Sequence, residues 1–289
     1  MRTPPTLASV AANGTQLAIW DWAGAGETLL FAHANGFHGR CWDAVIALLP
    51  EYRCVALELR GHGRSDKPGP PADWRPFGED VATAAGALGL DGAVGVGHSL
   101  GGHAVALAAA LIPAAFARLV LIDPVVLPQA RYQGARPGEH FAARRRERWP
   151  DAAAMIARFA PRPPYSRWQP QVLRDYCEYG LLPAPDSDDL MLACSPAFEG
   201  AVYQASTATR SDIYAEIATL AQPTLIVRAL GAARTAEGGG FDASPTAPDL
   251  AAHFPRGRDL PDLDHTHFLP MESPESTAAH IRTALEWVE

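Results

Sequence analysis

The chain has 289 residues, 48% of them hydrophobic and 19% charged, and its 24 Lys and Arg against 32 Asp and Glu give a net charge of −8. That balance fills a large core and argues against a disordered segment or a fibre. The negative charge argues against nucleic acid or an anionic membrane surface as the main partner. Four cysteines, Cys41, Cys54, Cys177 and Cys194, are too few for a disulfide framework, and none has a zinc-like spacing. The opening Met-Arg-Thr-Pro-Pro-Thr does not resemble a signal peptide, and no run of 18 or more apolar residues follows it. The expectation is a reduced, soluble, cytoplasmic protein.

Two weak strands, 7–12 and 16–22, flank the turn pair Asn13-Gly14. Short uninterrupted apolar runs come next, at 28–32, 53–57, 93–97 and 118–122, and again at 224–229. Absence of alternation is the mark of strands buried on both faces. Helix-length stretches at 42–49, 77–88 and 100–111 lie between them. The alternation predicts an α/β fold, with a mostly parallel sheet covered by helices on both sides.

The rhythm breaks between about Pro124 and Ala215. The composition there predicts helices at 139–149, at 152–160 behind the capping Asp151, and at 170–179, with a further start at Ser195-Pro196. Pro170 suits a first helical position and Gly180 a cap beyond the end. Residues 1–123 and 216–289 are therefore expected to form a core, and 124–215 a helical cap insertion. Arg144, Arg145, Arg146 and Arg148 would lie on the solvated face of the first cap helix, with anion binding as the alternative. Trp149, Tyr165, Trp168, Tyr176, Phe198 and Tyr203 would pack the cap onto the core, a few of them lining an apolar pocket. Gly238-Gly239-Gly240 reads as a loop.

Chemistry concentrates at Gly97-His98-Ser99-Leu100-Gly101-Gly102, between a predicted strand and a predicted helix. A serine on a turn this tight needs small neighbours, and its hydroxyl then projects beside the amides that open the helix. Such amides stabilise a developing oxyanion. A serine hydroxyl also needs a base. Asp264-His265-Thr266-His267-Phe268-Leu269-Pro270-Met271-Glu272-Ser273-Pro274 supplies two candidates, His265 and His267.

These motifs resemble the α/β-hydrolase superfamily, whose members end with His-Phe, a Glu five residues after the His and a Pro two beyond that. His267, Glu272 and Pro274 fit this pattern and His265 does not, so the resemblance assigns His267 as general base. His33-Ala34-Asn35-Gly36-Phe37 resembles the family's His-Gly-x oxyanion segment, with Ala34 in place of the usual Gly. It implies that the amides of Asn35 and Leu100 form the oxyanion hole, with the Asn35 side chain a further candidate. Glu58 to Pro68 resembles another shared block, with Glu58 replacing the commoner Asp, and reads as scaffold. His98, beside the nucleophile, either touches substrate or packs.

The third triad member is open. In most relatives an Asp follows the strand equivalent to 224–229, but that position holds Arg234. The next acids are Glu237 and Asp242. Asp123 ends the run 118–122, where a branch of the superfamily carries its acid, and a carboxylate at a strand end is better preorganised than one on a glycine-rich loop. Asp123 is preferred, with Asp242 the alternative. The resemblance implies a serine hydrolase of small acyl compounds, most simply carboxylic esters, with no metal or organic cofactor. A carbon–carbon (diketone) hydrolase and a cofactor-free perhydrolase share the same triad. A ligand-binding or receptor protein on the same fold is the non-enzymatic alternative.

Overall fold

The computed structural model of the protein describes residues 3–231 and 242–287. Arg234, Glu237 and the triple glycine lie outside the described residues. The chain opens with β1 (Thr6–Ala12) and β2 (Thr15–Trp22), antiparallel across Asn13-Gly14, whose φ angles of 45° and 75° are those a tight hairpin turn demands. Then β3 (Thr28–Ala32), α1 (Asp43–Ala47), β4 (Arg53–Leu57), α2 (Arg75–Ala87), β5 (Ala93–His98), α3 (Leu100–Leu111) and β6 (Phe116–Ile122) follow one another. Next come β7 (Arg148–Trp149), α4 (Ala152–Phe159), α5 (Pro170–Tyr179), β8 (Leu181–Pro183), β9 (Leu190–Leu192), α6 (Pro196–Ala205) and α7 (Tyr214–Ile217). The chain returns to the sheet with β10 (Thr224–Ala229) and β11 (Gly257–Asp262) and closes on α8 (Leu269–Glu272) and α9 (Pro274–Leu285).

Eight strands form one sheet in the order β1-β2-β4-β3-β5-β6-β10-β11, parallel from β4 onward. The physical reason is visible within single strands. Leu30 and Leu57 face an apolar layer with Phe77, Val81 and Leu107 of α2 and α3. Their neighbours Leu29 and Ala56 face the opposite layer, with Ile46 of α1 and Ile281 of α9. Successive side chains point to opposite faces, so covering both faces requires a run with no polar alternation. Edge strand β11, Gly-Arg-Asp-Leu-Pro-Asp, carries charge and a proline and has no such run. Nothing in the sequence marks it as a strand, because an edge strand does not need apolar residues on both faces.

Residues 124–215 depart from the all-helical expectation. The predicted helix at 139–149 is absent: Phe141–Arg144 makes a 3-10 turn and Arg148–Trp149 becomes β7, which joins β9 and β8 in a three-stranded sheet. From Arg144 to Arg148 every residue is charged, so a helix there would have little apolar face to hold it against the core. The other starts match expectation. Asp151 Oδ1 accepts the Ala154 N–H at 2.7 Å ahead of α4, and Ser195 Oγ accepts the Phe198 N–H at 3.2 Å ahead of α6. Pro170 opens α5, and Gly180 closes it at φ −83°, outside the left-handed region expected of a glycine cap. Among the described residues no helix is long and apolar enough to cross a membrane.

Candidate active site

Strand β5 runs into α3 through Ser99, whose φ of 57° and ψ of −120° are rare for a residue with a side chain. Glycines on both sides permit this turn. A Cβ on Gly97 would stand 2.4 Å from the Gly101 carbonyl oxygen, and one on Gly101 would stand 2.2 Å from that of Ala32. The G-x-S-x-G spacing therefore follows from backbone contacts that leave no room for a methyl group. Because Leu100 opens α3, its N–H has no carbonyl one turn earlier and is left for another acceptor.

Three groups far apart in the chain meet here. His267 Nε2 lies 3.0 Å from Ser99 Oγ, and His267 Nδ1 lies 2.6 Å from Asp123 Oδ2. A carboxylate only accepts, so Nδ1 carries the ring proton and the Nε2 lone pair faces the serine hydroxyl. Asp123, fully buried and held at φ 42°, is fixed by donors to its other oxygen. Oδ1 accepts the Ala229 N–H at 3.0 Å, the Ser244 hydroxyl at 2.5 Å and the Thr246 hydroxyl at 3.2 Å.

Asp242 has a different part. Its backbone oxygen accepts the His267 N–H at 2.8 Å, and among the described residues its carboxylate makes no bond to the ring. His98 is corrected as well. It is buried, and its Nε2–H donates to the His267 carbonyl at 2.7 Å. Burial holds its ring well below the usual imidazole range, so it stays neutral. His98 thus holds the backbone of His267 from beneath and does not line the cavity around Ser99. His265 bonds Asp262 at 2.9 Å through Nδ1 instead of the serine. Glu272 accepts the Thr266 N–H at 2.9 Å and its hydroxyl at 2.6 Å, which fixes the loop just before His267.

The Asn35 side chain is occupied. Its Nδ2 donates to the Glu199 carbonyl at 3.0 Å, and its Oδ1 faces His62 Nε2 at 3.1 Å. That leaves its backbone N–H, which has no acceptor among the described residues. Behind it, His33 accepts the Leu59 N–H at Nε2, and its Nδ1–H donates to its neighbour Ala34 at 2.7 Å. Burial lowers its pKa to about 4, so this ring is a neutral strut. Glu58 is also buried, accepting from Trp20 Nε1 at 2.9 Å and from the Arg64 N–H at 2.5 Å, in keeping with a scaffold block.

A cavity of about 240 Å³ opens over Ser99 and His267. Its walls come from the strand ends (Ala34, Phe37, Val125) and from the segment after β6 (Leu127, Arg136, His140, Tyr203). Arg145, expected on an exposed helix face, is drawn inward to Glu199 at 2.5 Å and the Tyr176 hydroxyl at 2.7 Å. Sequence reasoning does not find Ser244 and Thr246, the clamp on Asp123, or Arg136 and His140 in the wall. None of these sits in a motif; only the fold brings them to the site. Among the described residues no group of three or more His, Cys, Asp or Glu side chains is placed to hold a metal ion.

Residues 29–280 match the model of the alpha/beta hydrolase family. The chain is 27% identical over 264 residues to 2-(acetamidomethylene)succinate hydrolase of Mesorhizobium japonicum, covering 91% of this chain and 89% of that one. It is 38% identical to a non-heme haloperoxidase of Rhodococcus erythropolis over 98 residues, and 37% identical to the bifunctional esterase/perhydrolase of Acinetobacter calcoaceticus over 117 residues. These two matches span only 35% and 42% of the relatives' lengths. Among solved structures, E-2-(acetamidomethylene)succinate hydrolase superposes with a TM-score of 0.74 at 23% identity, covering 98% of this chain and all of that one. A thermophilic esterase from Thermogutta terrifontis superposes at 0.64 and 23% identity, covering 99% of this chain and 98% of that one.

Proposed function

The chain belongs to the alpha/beta hydrolase family, and within it we propose a serine hydrolase that cleaves small acyl compounds, carboxylic esters first among them. The observation that carries this reading is the unbroken chain of contacts from hydroxyl to imidazole to buried carboxylate. Ser99 Oγ attacks the ester carbonyl carbon while His267 Nε2 takes its proton, and Asp123 stabilises the imidazolium without being protonated itself. The amides of Leu100 and Asn35 hold the oxyanion; losing one such donor typically costs about 10²–10³ in turnover. Collapse expels the alcohol, which takes the proton from His267. Water then attacks the acyl-serine with the same base, and a carboxylic acid leaves.

Residues 124–215 act in this reading as a cap. Leu127 and Tyr203 from that segment share a cavity wall with Ser99, so closure excludes water from the reaction. The small volume fits a small-molecule substrate. No cysteine forms a disulfide and all four are buried, which fits a reducing, cytoplasmic setting. Perhydrolysis, in which hydrogen peroxide replaces water at the acyl-serine, is a second reading favoured by the similarity to the Acinetobacter esterase/perhydrolase.

A fluorophosphonate probe followed by peptide mapping tests the nucleophile. The expected adduct is on Ser99, with hydrolysis of a short-chain chromogenic ester lost in Ser99→Ala. Undiminished hydrolysis in that variant, or no adduct on Ser99, would remove the proposal. Peracid formation from acetate and hydrogen peroxide, compared with ester turnover, separates the two readings.

A further inference from the structure

Among the described residues lining the cavity over Ser99, Arg136 alone carries a permanent charge, and no carboxylate lines the wall beside it. Two less exposed arginines are matched, Arg60 by Asp80 and Arg145 by Glu199, whereas Arg136 is exposed at the cavity mouth. Arg136 has no ion-pair partner among the described residues, and its side chain reaches solvent at the cavity.

Its backbone is nevertheless held. The Arg136 N–H donates to the Gln204 carbonyl at 2.9 Å and the Gly134 N–H to the Thr207 carbonyl at 3.0 Å. The Thr207 hydroxyl returns a bond to the Gly134 carbonyl at 2.8 Å. An otherwise irregular stretch is thereby tied to the end of α6, which also sends Tyr203 into the cavity. His140 stacks on Tyr203 with ring centroids 4.4 Å apart. Its Nδ1 accepts the Ala142 N–H at 3.3 Å, so the neutral ring carries its proton on Nε2 and can donate. Burial, and then the charge of Arg136, push this ring below its ordinary pKa, which favours that neutral form.

A guanidinium offers a planar fork that matches a carboxylate, and a partly enclosed apolar cavity strengthens the attraction. One cation with one neutral donor suits a monoanion. We propose that the substrate carries a carboxylate held by Arg136 and His140 while its ester carbonyl meets Ser99, making it a half-ester of a small dicarboxylic acid. This inference rests on the hydrolase reading above.

The test compares monoethyl succinate with ethyl 4-oxopentanoate, nearly the same shape but uncharged, by acid release in wild type, Arg136→Gln and Arg136→Lys. Wild type should prefer the half-ester in kcat/KM by about tenfold or more. In Arg136→Gln the KM for the half-ester should rise by about tenfold to a hundredfold with kcat little changed, and the neutral ester should stay within about twofold. Arg136→Lys should restore part of the loss. Equal use of both esters by wild type, or an Arg136→Gln effect of the same size on both, would overturn the inference while leaving the hydrolase reading intact. If neither ester is cleaved and the fluorophosphonate leaves Ser99 unlabelled, the hydrolase reading fails. Calorimetric binding of succinate then decides separately: binding by wild type that is lost in Arg136→Gln sustains the anion site, and no binding by wild type removes it.

Discussion

Ser99 and Asp123 stand at φ 57° and 42°, a region few residues with side chains adopt, and both sit where a parallel strand ends. Backbone contacts hold Asp123 in this conformation. Its N–H donates to the Val227 carbonyl at 2.7 Å, so the carboxylate is aimed by the sheet itself. Its three donors would face the wrong partner if one carboxylate oxygen became an amide. Asp123→Asn should therefore lower kcat on a short-chain ester by about 10⁴, the size seen when the orienting acid of such a triad is neutralised. Asp242→Asn should stay within a few fold, because Asp242 contributes a backbone carbonyl and not its carboxylate. The reverse ranking in steady-state kinetics would shift the acid to the loop after β10. The sequence points to Asp123 through its place at a strand end. The Ser244 and Thr246 donors are not legible there, because they lie about 120 residues away and belong to no motif.

At the scale of elements, the segment between β6 and α7 is the least legible. Arg144, Arg145, Arg146 and Arg148 sit close together in sequence, yet their environments differ. Arg146 lies over the Trp149 ring at 4.3 Å, Arg148 pairs with exposed Asp186 at 2.6 Å, and Arg145 is half-buried against the buried Glu199. Charge patterning reads a run of arginines as a wet helix face, but it cannot see a carboxylate 54 residues later on α6. Burial raises the Glu199 carboxyl above its ordinary value, and Arg145 opposes that change. Removing only the arginine strands the acid. Arg145→Leu should cost about 3–5 kcal/mol in urea unfolding, and Arg145→Leu with Glu199→Leu should recover much of it. A double variant no more stable than the single one would show that the pair is not the source of the loss. The Glu199 carbonyl also receives Asn35 Nδ2, so the single variant should lower kcat by disturbing the Asn35 segment, the proposed oxyanion donor.

For the whole molecule, buried histidines make stability depend on pH. His33, His38 and His103 each have a pKa lowered to about 4 by burial, against 6.5 when exposed. Between those values the unfolded chain binds protons that the folded chain refuses. Stability is therefore fully present above about pH 6.5 and falls as the pH drops toward 4. A tenfold difference in proton affinity between the two states is worth roughly 1.4 kcal/mol, so three such rings together imply a loss of several kcal/mol across that window. The urea midpoint should fall clearly between pH 7 and pH 5, and less so in His103→Phe; equal midpoints at both values would contradict the account. Local covalent structure and hydrophobic pattern determined the strand-helix alternation and the tight turn at Ser99, and the motifs resembling the family's marked residues 99 and 267 as the candidates for nucleophile and base. Those features depend on neighbours a few residues apart, which a linear string records. Tertiary structure alone decided that the Asp123 carboxylate, not that of Asp242, meets the His267 ring, that Arg145 turns inward, and that Arg136 faces the cavity. Each of those outcomes depends on groups brought together from distant parts of the chain, whose meeting is selected by the free energy of the whole packed core.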